Sequence, residues 1–281
     1  MSQLWRDHIQ VFIAPERVDL LRVSRSIKGL GRTIESPKNT FSCECDSDQV
    51  AWKFPVKKFE SLMKEATDTE VTITLSNHFV RYVILPPQPE ITKPVEVDAY
   101  AIFRLREIYG ERADSWKHSV SAWSPLEGAV CAAIDADLIE QLEEITKRYR
   151  IRLKSIEPYL ASVFDNCKQQ LHAPRIYFAL VEAGRICIAL LINGTWQNIR
   201  NQRILSSMEK ELLAALDQEA ILYGQKEIIE HVYMYAPENP GFKLPVGCGW
   251  RITSLQPGKS FKQAIYPSSE DDNGKVKQCV A

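Results

Sequence analysis

Apolar positions recur along the chain with two periods, one suited to strands and one to helices. Between Ile9 and Ser24 they give two short strands with a turn at Pro15-Glu16-Arg17, and a third strand falls within Thr33 to Cys45. Pro55 then opens a short helix that puts Phe59, Leu62 and Met63 on one face. In residues 71–86, Val71, Ile73 and Leu75 alternate with Thr72, Thr74 and Ser76, and the alternation resumes after Asn77-His78 through Phe79, Arg81, Val83 and Leu85. An alternating run with a turn-forming break predicts a half-buried antiparallel hairpin. Pro86-Pro87 closes it, because proline has no N–H to give to a ladder. After Pro94 the period becomes helical: Val97, Ala101, Leu105 and Ile108 form one stripe, and Gly110 ends the helix. Strands follow near His118–Trp123 and Ala129–Ile134. Asp135 caps a helix over Ala136–Arg150 that is acidic early and basic late, with Leu138, Leu142 and Ile145 facing the core. A strand at Leu153–Ile156 leads through Glu157-Pro158 to another short helix.

The pattern then restarts. Arg175–Val181 and Arg185–Leu191 read as strands around a Glu182-Ala183-Gly184 turn, and Asn193-Gly194 turns the chain into a third strand, Trp196–Arg203. Ser206 and Glu209 form a capping box. The helix they open turns Leu212, Leu216, Ala220 and Tyr223 inward and stops at Gly224. Short strands at His231–Tyr235 and Arg251–Leu255 follow. Each half thus begins with three antiparallel strands and continues with helix-connected ones. That is an α/β plan of two tandem ribonuclease-H-like domains with mixed sheets, the arrangement of the actin-like ATPase superfamily. The expected division is a first domain over residues 1–170, a second over 171–266, and a polar, aperiodic tail over 267–281 that reads as disordered.

Composition narrows the function classes. Lysine plus arginine number 35 against 36 aspartate plus glutamate, a net charge of −1 that argues against a dedicated nucleic-acid binder. The most apolar stretch, Ile176 to Ile192, is interrupted by Glu182 and Arg185, and the first residues carry no apolar run of a signal peptide. The seven cysteines are irregularly spaced and only Cys43 and Cys45 are close, so reduced thiols in a cytoplasmic protein are expected rather than a metal site.

Several segments resemble the PilM/GspL family of actin-like proteins. They are Leu75-Ser76-Asn77-His78-Phe79-Val80-Arg81-Tyr82 ending in Leu85-Pro86, then Ala132-Ala133-Ile134-Asp135-Ala136-Asp137-Leu138 with Ile156-Glu157-Pro158 downstream. The third runs from Leu180-Val181-Glu182-Ala183-Gly184-Arg185 through Gly194-Thr195-Trp196 to Arg203. The likeness covers roughly residues 8–260. It implies a cytoplasmic scaffold of type IV pilus or type II secretion assembly, peripheral to the inner membrane and reaching it only through partners. Those partners would be a short cytoplasmic segment of an inner-membrane assembly protein or an assembly ATPase, and a homodimer is compatible with it. The chain ends in a polar tail where a transmembrane GspL continues into a spanning helix, which favours a PilM-like arrangement or a truncated chain.

The residues that would hold a nucleotide look degenerate. Phosphate turns need small residues, free N–H groups and a carboxylate to orient Mg²⁺. The first turn, Ala14-Pro15-Glu16-Arg17, has no glycine, and the second offers only Glu182 and Gly184; Gly247, in Pro245-Val246-Gly247-Cys248-Gly249, is the one later candidate. The expectation is therefore no cofactor, no catalytic residue and no metal. If nucleotide does bind, Glu182, Gly184 and Gly247 would hold it, and the protein would be a nucleotide-binding PilM-like switch. A metal-dependent nuclease is the remaining alternative; it would recruit Asp19 and Glu157, although Asp19 reads as solvated. The five histidines show no metal spacing, Trp196 is expected to pack between sheet and helix, and Arg81 and Tyr82 are candidates for partner binding.

Overall fold

The computed structural model describes residues 7–25, 33–35, 38–44, 49–66, 68–223 and 230–256. The first sheet contains β1 (His8–Ala14), β2 (Arg17–Arg25), β3 (Thr33–Glu35), β4 (Asn39–Ser42), β5 (Glu70–Leu75) and β9 (Arg152–Pro158). Its order is β3-β2-β1-β5-β9, with β4 also on β2. The β1–β2 pair is antiparallel, whereas β5 and β9 run parallel to β1. The third antiparallel strand is thus split in two, β3 and β4, both hydrogen-bonded to β2.

The second sheet repeats this plan. It holds β10 (Arg175–Glu182), β11 (Arg185–Ile192), β12 (Thr195–Arg203), β13 (Glu230–Tyr235) and β14 (Trp250–Ser254), in the order β12-β11-β10-β13-β14. Again the first three strands are antiparallel and the last two parallel to the first. Both Asn193 and Gly194 have positive φ, 52° and 82°, as the tight hairpin between β11 and β12 requires. Strand β10 is buried on both faces, which explains its unbroken apolar run. Tyr177, Ala179 and Val181 meet Leu212 and Leu216 of α5 (Met208–Leu222). Phe178 and Leu180 belong instead to a core shared with α4 (Tyr159–Cys167) and the first sheet, where Phe164 packs edge-on to Phe178 at 5.5 Å and Phe12 lies 4.8 Å from Tyr159. Burying each such side chain contributes roughly 1.5–3 kcal/mol, so the two sheets are held by a continuous apolar layer.

A third sheet departs from the expected organisation. Between β5 and α3 (Ala136–Arg148) the chain forms β6 (Val80–Leu85), α2 (Pro94–Tyr109), β7 (Trp116–Val120) and β8 (Ala129–Asp135). These strands make a separate antiparallel sheet, β6-β8-β7. The hairpin expected over 71–86 therefore does not exist: β5 pairs with β1 and β9, and β6 pairs with β8. Alternation reports a half-buried strand without naming its neighbour. The Ser76–His78 segment carries the chain from one sheet to the next, with Ser76 N donating to Ile13 O at 2.9 Å.

Smaller differences have local causes. The cap of α5 is Ser207, whose side chain accepts from Lys210 N, one residue beyond the expected Ser206, which instead donates to Glu211. Ile108 is 52% exposed and Tyr223 38% exposed, so both leave the apolar stripes they were assigned to, at the last turns of their helices. Helix α1 (Lys53–Met63) buries Phe59 and Met63 as expected, and Asp135 caps α3 by accepting from Asp137 N. Gly224, Cys45 and the tail over 267–281 lie outside the described residues.

Candidate functional site

The two hairpin turns that would face a nucleotide are each engaged by protein groups. In the second turn, Gly184 adopts φ +70°, a left-handed conformation that glycine takes without strain. Beside it Glu182 is buried and its carboxylate accepts from Ser76 Oγ at 2.5 Å and from Asn77 N at 2.9 Å. His78 Nε2 donates to Ala183 O at 2.9 Å, and Asn201 Nδ2 donates to Asn77 O at 2.8 Å. Tyr82 OH closes the cluster by donating to Asn77 Oδ1 at 2.6 Å. The turn is thus bonded to the crossover between the first and third sheets. Burial pushes the Glu182 carboxyl up to about 7, against the opposing pull of its hydrogen bonds and of Arg185. Burial likewise lowers the His78 imidazole to about 4, leaving it neutral near pH 7.

At the first turn Arg17 reaches across to Glu238, 2.6 Å away in the segment after β13, and also lies 3.4 Å from Asp19. Asp19 is not solvated: it is fully buried and paired with Lys38 at 2.8 Å. Its position opposite Phe12 on β1 and Thr40 on β4 puts it inside the sheet's covered face, which alternation along β2 alone does not reveal. Glu157 sits on β9 and accepts from Ser155 Oγ. Gly247 is not brought to Glu182 and Gly184; it lines a surface cavity formed by residues 240–254. No group of three potential metal ligands occurs among the described residues.

Another feature was not legible in sequence. A groove of about 600 Å³ runs between the third sheet, β9 and α4. Apolar side chains line most of it, among them Ala132 on β8, Ile156 on β9, Leu160 and Phe164 on α4, and Trp196 on β12, with Lys117, Glu143 and Lys154 also on its walls. Trp196 packs on Phe164 at 4.6 Å between centroids, bridging strand and helix as expected. Both β7 and β9 end their sheets, so each carries an edge without a strand neighbour among the described residues, and both line the groove. Tyr82 faces it too, whereas Arg81, the preceding residue on β6, bonds to the carbonyl oxygens of Val80 and His78 and borders a different cavity. Of the two candidate partner-binding residues, only Tyr82 therefore reaches the groove.

No family model and no curated protein matches the chain. Solved structures do. One is a PilM–PilN type IV pilus biogenesis complex, with TM-score 0.61 and 13% identity over 92% of this chain and 90% of the other. Another is the cytoplasmic domain of EpsL, an inner-membrane component of the type II secretion system of Vibrio cholerae, with TM-score 0.56 and 11% identity over 92% of each chain. A third is a Bacteroides thetaiotaomicron protein of unknown function, with TM-score 0.55, 10% identity and coverage of 84% and 85%. Identities this low carry the architecture alone. With two sheets of the same strand order built in tandem, the chain has the actin-like ATPase fold described for the Bacteroides protein and shares its architecture with PilM and the EpsL cytoplasmic domain.

Proposed function

We propose that the protein is a non-catalytic actin-like scaffold of a type IV pilus or type II secretion platform. In this reading it works by holding a short extended cytoplasmic segment of an inner-membrane assembly protein. The observation that carries the proposal is the groove: a mostly apolar channel lined by two strands, β7 and β9, that end their sheets among the described residues suits an extended peptide, which can add main-chain hydrogen bonds and seat alternate side chains. In this reading the groove belongs to a first domain over residues 1–170, with Trp196 added from a second over 171–266, and the engaged turn at Glu182 supports a cleft that does not take nucleotide. No described helix is long and apolar enough to cross a membrane; in this reading the bound segment links the protein to one.

The test is site-specific photo-crosslinking in the native cell. A photoreactive residue at Ser119 or Ser155, both in the groove, should crosslink to an inner-membrane assembly protein through its cytoplasmic segment. The same residue at Leu222, exposed on α5, should not. Equal crosslinking from both faces, or none from the groove, would remove the proposal.

A further inference from the structure

A further cavity, of about 330 Å³, lies where β6, the end of α2 and the β11–β12 pair meet. It is lined by Arg81, Arg185 and Arg203 together with Asn201, Tyr82 and Tyr109. In the register of the second sheet Arg185 stands opposite Arg203, so two guanidinium groups are paired by the ladder itself, and β6 brings the third. Arg185 is only 7% exposed; Nη1 donates to Asn201 Oδ1 at 3.1 Å, but Nε is buried without a hydrogen-bond partner. Among the described residues no carboxylate forms an ion pair with any of the three. The carboxylate whose field acts on Arg185 is that of Glu182, and it is bonded to Ser76 and Asn77. Burial and the fields of Arg81 and Arg203 all work against the charge on Arg185.

Three like charges converging on a concave, partly buried site cost stability unless an anion offsets them. Guanidinium forks match the oxygens of a tetrahedral oxyanion, and charge-assisted bonds of this kind are among the strongest available. We propose that this cavity is an anion site that takes a phosphate group, free or esterified, held by Arg81, Arg185 and Arg203. Occupation would join β6 of the third sheet to β11 and β12 of the second. The site adjoins the peptide groove at Tyr82, which lines both, but its test does not depend on that reading.

Isothermal titration of the full chain with inorganic phosphate, pyrophosphate and glycerol phosphate tests the proposal. Saturable one-to-one binding is expected. It should weaken at least about tenfold in Arg203→Gln, a substitution at an exposed position that the fold tolerates, and similarly in Arg81→Gln. Arg148→Gln, whose arginine pairs with Glu60 and does not line the cavity, should leave it unchanged. Binding of glycerol phosphate as tightly as pyrophosphate would assign the site to an esterified group, and preference for pyrophosphate to a free one. No saturable binding at tens of millimolar, or equal affinity in all variants, would overturn the proposal.

Discussion

Replacing Glu182 by Gln tests the junction between the second turn and the crossover. The amide keeps an acceptor for Asn77 N and turns its N–H₂ toward Ser76 Oγ, which can accept instead, so the fold should survive. What changes is the pH dependence. An acid raised from 4.5 to about 7 on folding binds more protons in the folded than in the unfolded state between those values. Stability from this group is therefore full at low pH and falls by roughly 3 kcal/mol as pH rises through that window. His78 acts oppositely: its imidazole is lowered from 6.5 to about 4, so its share of stability is lost as pH falls through that range. In the unsubstituted protein the two slopes largely cancel where they overlap, and its curve alone is uninformative. The difference between the Glu182→Gln variant and the parent isolates the carboxyl group. Urea unfolding should show the variant gaining roughly 3 kcal/mol on the parent between about pH 4.5 and 7.5. Parallel curves would refute the claim that the buried carboxyl titrates near neutrality.

Three further perturbations probe the frame around the sites. Gly128→Ala should destabilise by about 2–4 kcal/mol in chemical denaturation, because a Cβ there meets Leu85 O at 2.1 Å and the residue has φ +79°. Asp19→Asn should cost about 3 kcal/mol by leaving the buried Lys38 charge short of its counter-ion, and should create or remove no Mg²⁺-dependent cleavage of nucleic acid in a gel assay. Millimolar Mg-ATP should leave the melting temperature unchanged, whereas a ligand at about 100 times its Kd would add roughly 2.7 kcal/mol.

The sequence carried the doubled plan because each half writes its first strands as short apolar runs with strong turn signals, as at Asn193-Gly194. It did not carry the third sheet. Val80–Leu85 and Glu70–Leu75 have the same alternation whether they pair with each other or with strands dozens of residues away. The buried junction was hidden for a related reason: Ser76 and Asn77 look like ordinary turn residues, and only a partner more than a hundred positions on, Glu182, makes them structural. Asp19 looked solvated because its shield, Lys38, comes from a strand entrance that periodicity does not connect to it. The groove is assembled from β7, β9, α4 and β12, whose inward residues look ordinary one element at a time. Arg81, Arg185 and Arg203 come together only through the ladder and the inserted sheet.

The central claim is that the groove holds an extended segment of a membrane assembly protein. Fluorescence anisotropy with labelled peptides, copied from the cytoplasmic segments of the inner-membrane assembly proteins of the same cell, tests it most directly. One such peptide should bind saturably and lose at least about tenfold in affinity to Ala132→Trp, which fills the groove floor with an indole ring, while the variant's melting curve stays cooperative. Binding that survives Ala132→Trp unchanged, or no binding by any of these peptides, would contradict the account.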